Sequence, residues 1–275
     1  TKTEGWIAGL QLTALSMQGR ENISEFIQDL KGDNRYIMDY LMEEVLKIQA
    51  DDIKEFLLRT SILEQMSAPL CNAVFNINDS QLILETLEKN NMFVIPLDEE
   101  RTWYRYHHLF AELLKQRLHL RGKAAFIELH NKAIEWFKGN SMPLSAIEHA
   151  IEIKDFEKSI QFLGEMVENM WKNGQHAAIM KYGGLLPGEI IKKNADFSLY
   201  YAWILIIAGQ NQKAEPFLTS AENLTREIIN DPQSPADVVH SNNILFSKLS
   251  VAFAYMNTFA MSPEKVLDYA SIREK

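Results

Sequence analysis

Apolar residues follow helical spacing along almost the whole chain, and one short segment departs from it. Across residues 92–106 the pattern changes to the alternation of β-strands, with runs at 92–97 and 102–106 joined by a turn at 98–101. Pro96 has no N–H to give to a sheet, so we expect the first of these strands to lie at an edge. One hairpin among helices restricts the chain to a mainly α fold with a small β-hairpin.

Helices are predicted on both sides of this hairpin. Upstream they span residues 1–17, 36–48, 50–63, 68–75 and 80–90. Pro69 falls in the first turn of its helix, where a missing N–H costs nothing. Downstream, a closing helix begins near His107. Three short helices, a hairpin and a closing helix form a winged-helix module, which is a variant of the helix-turn-helix.

From residue 124 onward the sequence predicts only helices, arranged in pairs. The pairs are 124–139 with 143–153, 155–172 with 175–186, 195–208 with 211–229, and 237–259 with 263–274. Their irregular period brackets the tetratricopeptide repeat of about 34 residues. Small residues stand where paired helices must approach closely, namely Ala133, Ala146, Ala150, Ala202, Ala208, Ala214 and Ala221. The pattern favours an α-solenoid of tetratricopeptide-like helix pairs, with an ordinary helical bundle as the alternative.

Charge, cysteine content and hydropathy limit the class of protein. The net charge is −9, which does not draw the chain towards nucleic acid or anionic membrane. A single cysteine, Cys71, excludes an internal disulfide and fits a reducing cytosol; we expect it to be a small buried hydrophobe. The most apolar run, residues 199–209, is too short to span a bilayer and predicts a buried helix. We therefore expect a cytoplasmic location and no membrane partner.

Motifs of catalysis and of metal binding are absent from the sequence. It contains no GxxxxGK[ST], GxGxxG, HExxH, CxxC or GxSxG, and the glycines of residues 183–190 have no lysine after them. His119, His130 and His149 fall on separate predicted helices, and the five tryptophans are spread over separate elements and are expected in the core. We predict no catalytic residue, no metal ligand and no enzyme activity for this chain.

Charges on the winged-helix module argue against DNA reading. The third helix carries Glu85 and Glu88 against one lysine, Lys89, and the hairpin turn adds Asp98, Glu99 and Glu100. Carboxylates in these places would repel phosphates. A basic strip lies instead on the return strand and closing helix, at Arg101, Arg105, Lys115, Arg117, Arg121 and Lys123. We therefore predict no DNA-binding residue in this chain.

Two adjacent histidines stand where the return strand meets the closing helix, in YRYHHLFAELL (residues 104–114). On a helical wheel His107 lies on the same side as Leu114, and His108 points away from it. In the first turn of a helix, His107 would lie near unpaired N–H groups and the positive end of the dipole. It could donate a hydrogen bond to the phosphate of a nucleotide held by a neighbouring domain, or to a backbone carbonyl.

Several segments, in order, resemble one family. They are TEGWIAGLQLTALSM (3–17), YIMDYLMEEVL (36–46), FLLRTSIL (56–63), WYRYHHLFAELLKQRL (103–118), LHNKAIEWFKGN (129–140) and SAIEHAIEIKD (145–155). The family is the MalT-like group of large ATP-binding LuxR-type regulators, which are similar to signal-transduction ATPases of the STAND class. The resemblance implies that residues 1–49 end a helical domain, 50–122 are the winged helix, and 123–275 begin a sensor superhelix.

The same resemblance implies a function for His107. In STAND proteins a winged-helix histidine in this setting contacts the β-phosphate of bound ADP, and Tyr106-His107-His108-Leu109 is similar to that setting. The family more often has proline where His108 stands, which leaves open which of the two histidines faces the nucleotide. ATP or ADP would be held in the parent protein with an N-terminal nucleotide-binding domain, so the isolated chain is expected to carry no cofactor.

The resemblance also implies the partners of the chain. Promoter DNA would be bound only through a C-terminal LuxR-type helix-turn-helix of the same protein. A small-molecule or protein inducer would bind the superhelix and favour an open form that takes up ATP and self-associates. The alternative hypothesis is a tetratricopeptide-type interaction scaffold that binds a protein or peptide and has no nucleotide role.

Overall fold

The computed structural model describes residue 43 and residues 45–259. The chain divides into two compact units, Thr1–Ser141 and Met142–Lys275. The helices predicted for residues 1–17 and 263–274, and most of the helix at 36–48, lie outside the described residues. Residues 43 and 45–47 are helical.

The first unit has the element order that the sequence predicts. Its helices are α1 (Asp51–Thr60), α2 (Ala68–Phe75), α3 (Ser80–Lys89), α4 (His108–Leu120) and α5 (Lys123–Gly139), and its strands are β1 (Val94–Pro96) and β2 (Tyr104–Tyr106). Each strand is two or three residues shorter than its alternating run, and α1 ends at Thr60 rather than at residue 63. The winged-helix order of three helices, a hairpin and a closing helix is confirmed.

The hairpin is held by more than its own two strands. β1 and β2 pair antiparallel, with Val94 opposite Tyr106 and Pro96 opposite Tyr104. On its other side Tyr104 exchanges two backbone hydrogen bonds of 2.7 Å with Met66. Because Met66 is a single bridging residue and not part of an alternating run, the sequence could not predict this pairing. Within the described sheet β2 is therefore central and β1, which carries Pro96, is an edge strand, as predicted.

A continuous core joins these elements. Its fully buried members include Phe56, Leu63, Met66, Leu70, Leu84, Tyr104 and Phe110. Cys71 lies among them with no exposed surface, and burial raises the pKa of its thiol to about 12, which confirms the prediction of a buried hydrophobe. Helix α5 packs on α2 and α4 and so lies in the first unit. The domain boundary at residues 122–123 remains a prediction.

The second unit is built from helices that follow one another closely. They are α6 (Pro143–Glu152), α7 (Phe156–Lys172), α8 (His176–Leu185), α9 (Gly188–Ile191), α10 (Ala195–Ile207), α11 (Asn211–Asn230) and α12 (Ala236–Phe259). Apart from the one-turn α9, which has no periodic pattern in the sequence, they match the predicted helices within a residue or two. The first predicted pair, 124–139 with 143–153, is divided between the two units.

Most helices of this unit pack on the next helix along the chain, α6 on α7, α7 on α8, α10 on α11 and α11 on α12, and α7 also packs on α10. This order is typical of a repeat architecture. Helix α10 is apolar on nearly all sides and is buried, as predicted for residues 199–209. The small residues Ala133, Ala146, Ala150, Ala202, Ala214 and Ala221 are buried as predicted. The prediction for Ala208 was wrong, because α10 ends before it and the chain turns through Gly209.

One glycine of residues 183–190, Gly183, is required for helix packing. A Cβ built on Gly183 of α8 would lie 2.1 Å from the ring of Tyr201 on α10, so only glycine allows this approach. Asn194 accepts a hydrogen bond from the N–H of Phe197 and caps α10.

Among the described residues, no helix combines the length and apolarity needed to cross a bilayer.

Candidate functional site

His107 is the N-cap residue of α4, directly after β2. Its N–H donates to the carbonyl of Phe93 at 2.7 Å, and its own carbonyl accepts from the N–H of Ala111 at 2.9 Å. We expected His107 in the first helical turn. It lies one position earlier, because its N–H extends the hairpin ladder and its backbone is still extended, with φ −59° and ψ 134°. The side chain nevertheless stands at the end of the helix where N–H groups accumulate.

The two histidines have different environments. The side chain of His107 is buried, with 5% of its surface exposed, whereas His108 is exposed. Their rings are 4.6 Å apart at an angle of 32°. The inward and outward placement that the helical wheel gives is therefore observed. Which of the two contacts a nucleotide remains a prediction.

A group of packed side chains surrounds the residues on either side of His107. The ring of Phe110 contacts those of Phe93 and Tyr106, at centroid distances of 5.1 and 5.9 Å. The hydroxyl of Tyr106 is 2.6 Å from that of Thr60 on α1, which also donates to the carbonyl of Phe56. Burial raises the pKa of Tyr106 above its usual range and keeps it neutral. These contacts join α1, β2, α4 and the residue that precedes β1.

Phe93 adds a strained backbone to the same place. Its φ is 58°, a left-handed conformation that a bulky residue rarely adopts. Such strain costs on the order of 1–3 kcal/mol and persists where surrounding contacts hold it. Here the carbonyl of Phe93 accepts the N–H of His107, so the conformation helps to fix the position of the histidine. The sequence gives no local sign of this strain.

Three arginines of the basic strip are paired with acids of the first unit. Arg117 binds Glu43, Arg121 binds Glu55, and Arg101 binds Glu88 of α3 at 3.1 Å. These pairs reduce the number of cations that could neutralise phosphates. The outward face of α3 presents Leu82, 67% exposed, where a DNA-reading helix needs polar or basic side chains.

The other three histidines that the sequence analysis considers do not form a metal site. His130 and His149 are buried and His119 is exposed, and the rings of His119 and His130 both contact Phe126. In the part of the chain that the structure describes, no group of three or more His, Cys, Asp or Glu side chains is placed to hold a metal ion.

A row of rings in the second unit was not foreseen, because its members come from distant elements. We define the aromatic row as Trp171 of α7, Trp203 of α10 and Tyr255 of α12. Successive centroids are 6.3 and 5.3 Å apart. Both tryptophans are half-buried and pack against the core of this unit, as predicted, and each keeps an exposed part; Tyr255 is 42% exposed. Trp171 also contacts His176 and Tyr200.

Polar groups lie beside one end of the aromatic row. The ammonium of Lys248 is 3.0 Å from a carboxylate oxygen of Glu168 and 3.2 Å from the hydroxyl of Tyr200. Hydrogen bonds from Lys172 and Lys248 lower the pKa of Glu168. Burial lowers the pKa of Lys248, but its bonds to Tyr200 and Glu168 outweigh this and leave it raised. Burial raises the pKa of Asp196.

Comparison with known proteins gives a family model for part of the first unit and relatives over most of the chain. Residues 42–126 match the family model described as the MalT winged helix domain, which covers α1 to α4 and the hairpin. The chain is 28% identical over 207 residues to the serine/threonine-protein kinase PknK of Mycobacterium tuberculosis, covering 75% of this chain and 19% of the kinase.

Regulators match over a longer stretch. The chain is 27% identical over 225 residues to the HTH-type transcriptional regulator MalT of Vibrio campbellii, and 28% identical over 228 residues to that of Yersinia pestis. These alignments cover 81% and 82% of this chain and 25% of each regulator, so the chain spans about a quarter of the length of these relatives. The chain is therefore similar to regulators named MalT over most of its length, and its residues 42–126 match a winged-helix domain of the MalT type.

Proposed function

We propose that this chain is the regulatory segment of an ATP-dependent LuxR-type transcriptional regulator. In this proposal the first unit responds to the nucleotide state of a neighbouring domain, and the second unit binds an inducer or partner. The similarity to regulators named MalT supports the class of protein. The location would be cytoplasmic and the segment itself would not be an enzyme.

The position of His107 is the observation that carries the nucleotide role. A buried imidazole at the N-terminal end of α4 is held from the backbone side by Phe93 and Ala111. The N-terminal end of a helix favours anions, and an imidazole N–H can donate to a phosphate oxygen. His107 would bind the β-phosphate of ADP that the nucleotide-binding domain holds, and the exposed His108 would not.

Regulation would then be a shift between two forms of the parent protein. The ADP form is closed through His107, and the inducer favours an open form that binds ATP and self-associates. A ligand moves such an equilibrium only by its difference in affinity for the two forms. Near-complete switching, from 1:99 to 99:1, needs a difference of about 5.5 kcal/mol.

A substitution of His107 in the full-length protein tests this. We expect His107→Ala to release ADP faster and to raise transcription without inducer, because the closed form loses a phosphate contact. His108→Ala is the matched control and should change neither property. ADP release and basal transcription that are unaffected by His107→Ala would exclude this residue from the mechanism.

A second candidate follows from the similarity to PknK. A protein named as a kinase shares the same segment at the same identity, so the segment occurs in proteins with different named activities. The chain would then be an interaction or regulatory scaffold in which nucleotide plays no part. The complete reading frame decides between the two, since a GxxxxGK[ST] motif upstream and a LuxR-type domain downstream are required only by the regulator.

A further inference from the structure

Two helices of the second unit present stripes with the same spacing. On α10 the stripe is Asp196, Tyr200, Trp203 and Ile207, and on α12 it is Ile244, Lys248, Val251 and Tyr255. Both follow i, i+4, i+7, i+11, which places each set on one side of its helix. Lys248 contacts Tyr200 and Tyr255 contacts Trp203, so the stripes run side by side. Trp171 and Glu168 of α7 extend this surface across a third helix.

The surface has a polar end and an apolar end. Lys248, Glu168 and Asp196 lie at one end and provide both hydrogen-bond donors and acceptors, and the buried Tyr200 holds Lys248 from below. At the other end the aromatic row is flanked by Ile207, 62% exposed, and Val251, 43% exposed. Two lysines, Lys172 and Lys248, balance the two carboxylates. The surface is therefore electrically neutral and does not select a strongly charged ligand.

We propose that this surface binds an extended peptide segment, with prolyl, aromatic or aliphatic side chains on the aromatic row and backbone amides at the Lys248–Glu168 end. The proposal rests on the proposed function, in which this unit binds the inducer or partner, and it names the class of that ligand.

Three features favour a peptide. Taken together, the steps of 6.3 and 5.3 Å along the aromatic row span three or four residues of extended chain, at roughly 3.3 Å per residue. Mixed donors and acceptors suit the N–H and C=O groups of a peptide backbone. The exposed Ile207 and Val251 provide aliphatic contacts for side chains, whereas a polyhydroxylated ligand would leave these two residues without suitable contacts. Aromatic-lined grooves are a known way of holding extended and proline-rich segments.

Selection from a phage-displayed library of random octapeptides tests the proposal with the 275-residue chain. We expect enrichment of sequences rich in proline and apolar residues. A synthetic, fluorescein-labelled form of an enriched peptide is then titrated by fluorescence anisotropy. Trp203→Ala and Tyr255→Ala should each weaken binding by roughly tenfold or more, as expected for central aromatic contacts. Trp203→Phe, which keeps a ring, should lose less.

Leu185→Ala is the matched control, because Leu185 is an exposed apolar residue on α8, outside both stripes and the aromatic row. It should leave the affinity unchanged, and circular dichroism checks that every variant is folded. No enrichment, or binding that survives both Trp203→Ala and Tyr255→Ala, would overturn the proposal, as would binding only to an array of neutral oligosaccharides. Peptide binding is measured without nucleotide, so its failure is distinguishable from a failure of the His107 test.

Discussion

At the scale of single residues, the structure separates groups that the sequence cannot distinguish. His107 and His108 are adjacent and identical in type, and a helical wheel assigns their sides correctly because α4 has regular periodicity. The wheel does not show that His107 caps the helix, since that depends on a hydrogen bond to Phe93 fourteen residues earlier. The local sequence pattern thus predicts which side each histidine faces. The long-range hydrogen bond to Phe93 decides where His107 lies relative to the start of the helix.

Two carboxylates near Lys248 should respond to pH in opposite directions. Burial raises the pKa of Asp196 in the folded protein, so its ionised form opposes folding at neutral pH. The stability that Asp196 contributes is fully present below its pKa in the unfolded chain. It is lost as the pH rises through its pKa in the folded protein. Hydrogen bonds from Lys172 and Lys248 lower the pKa of Glu168, so its contribution is present above the unfolded pKa and is lost as pH falls.

We therefore predict that Asp196→Asn stabilises the second unit at pH 7 and that Glu168→Gln destabilises it. Both differences should shrink towards about pH 4 and below, where the carboxyl groups become protonated in both states. Urea unfolding at pH 7 and at acidic pH measures the two free energies. The same sign for both variants at pH 7 would contradict this assignment of charges.

At the scale of elements, the periodicity of the sequence predicted the helices. Contacts between residues far apart in the chain determined the features that periodicity does not show. The pairs α7–α8 and α10–α11 could be predicted because α7 and α11 carry apolar stripes of helical period and α10 is a continuous apolar run. The bridge from Met66 to β2 and the short α9 could not, because a single residue or a single turn has no period. The aromatic row was missed for the same reason, since its members are joined only when three helices pack.

The contact of α8 with α10 gives a test at this scale. Gly183→Ala would place a methyl group 2.1 Å from the ring of Tyr201, so we predict a loss of roughly 1–3 kcal/mol in the free energy of unfolding. The adjacent Gly184 has no other group within 4 Å of an added Cβ. Gly184→Ala should instead stabilise the unit by roughly 0.5–1 kcal/mol through helix propensity. Equal effects of the two substitutions in chemical denaturation would show that this contact does not limit packing.

At the scale of the whole molecule, charge decides how the chain meets nucleic acid. A net charge of −9 opposes binding at long range, and Arg101, Arg117 and Arg121 are paired with acids of the first unit. In the proposed regulator, promoter recognition therefore belongs to a different domain of the full protein. The winged helix would act on neighbouring domains, although its fold is related to DNA-binding modules.

We predict that the 275-residue chain shows no sequence-preferring DNA binding in a gel-shift assay at any salt concentration. Few cations remain to release counterions from phosphate, and α3 offers Leu82 and acids to the groove. A variant with Glu85→Gln, Glu99→Gln and Glu100→Gln is the informative control. If repulsion alone prevents binding, this variant should gain weak, salt-sensitive binding without sequence preference, because α3 still lacks side chains that read bases. Sequence-preferring, salt-sensitive retardation by the unaltered chain would instead make the first unit a DNA reader and would contradict this assignment of roles.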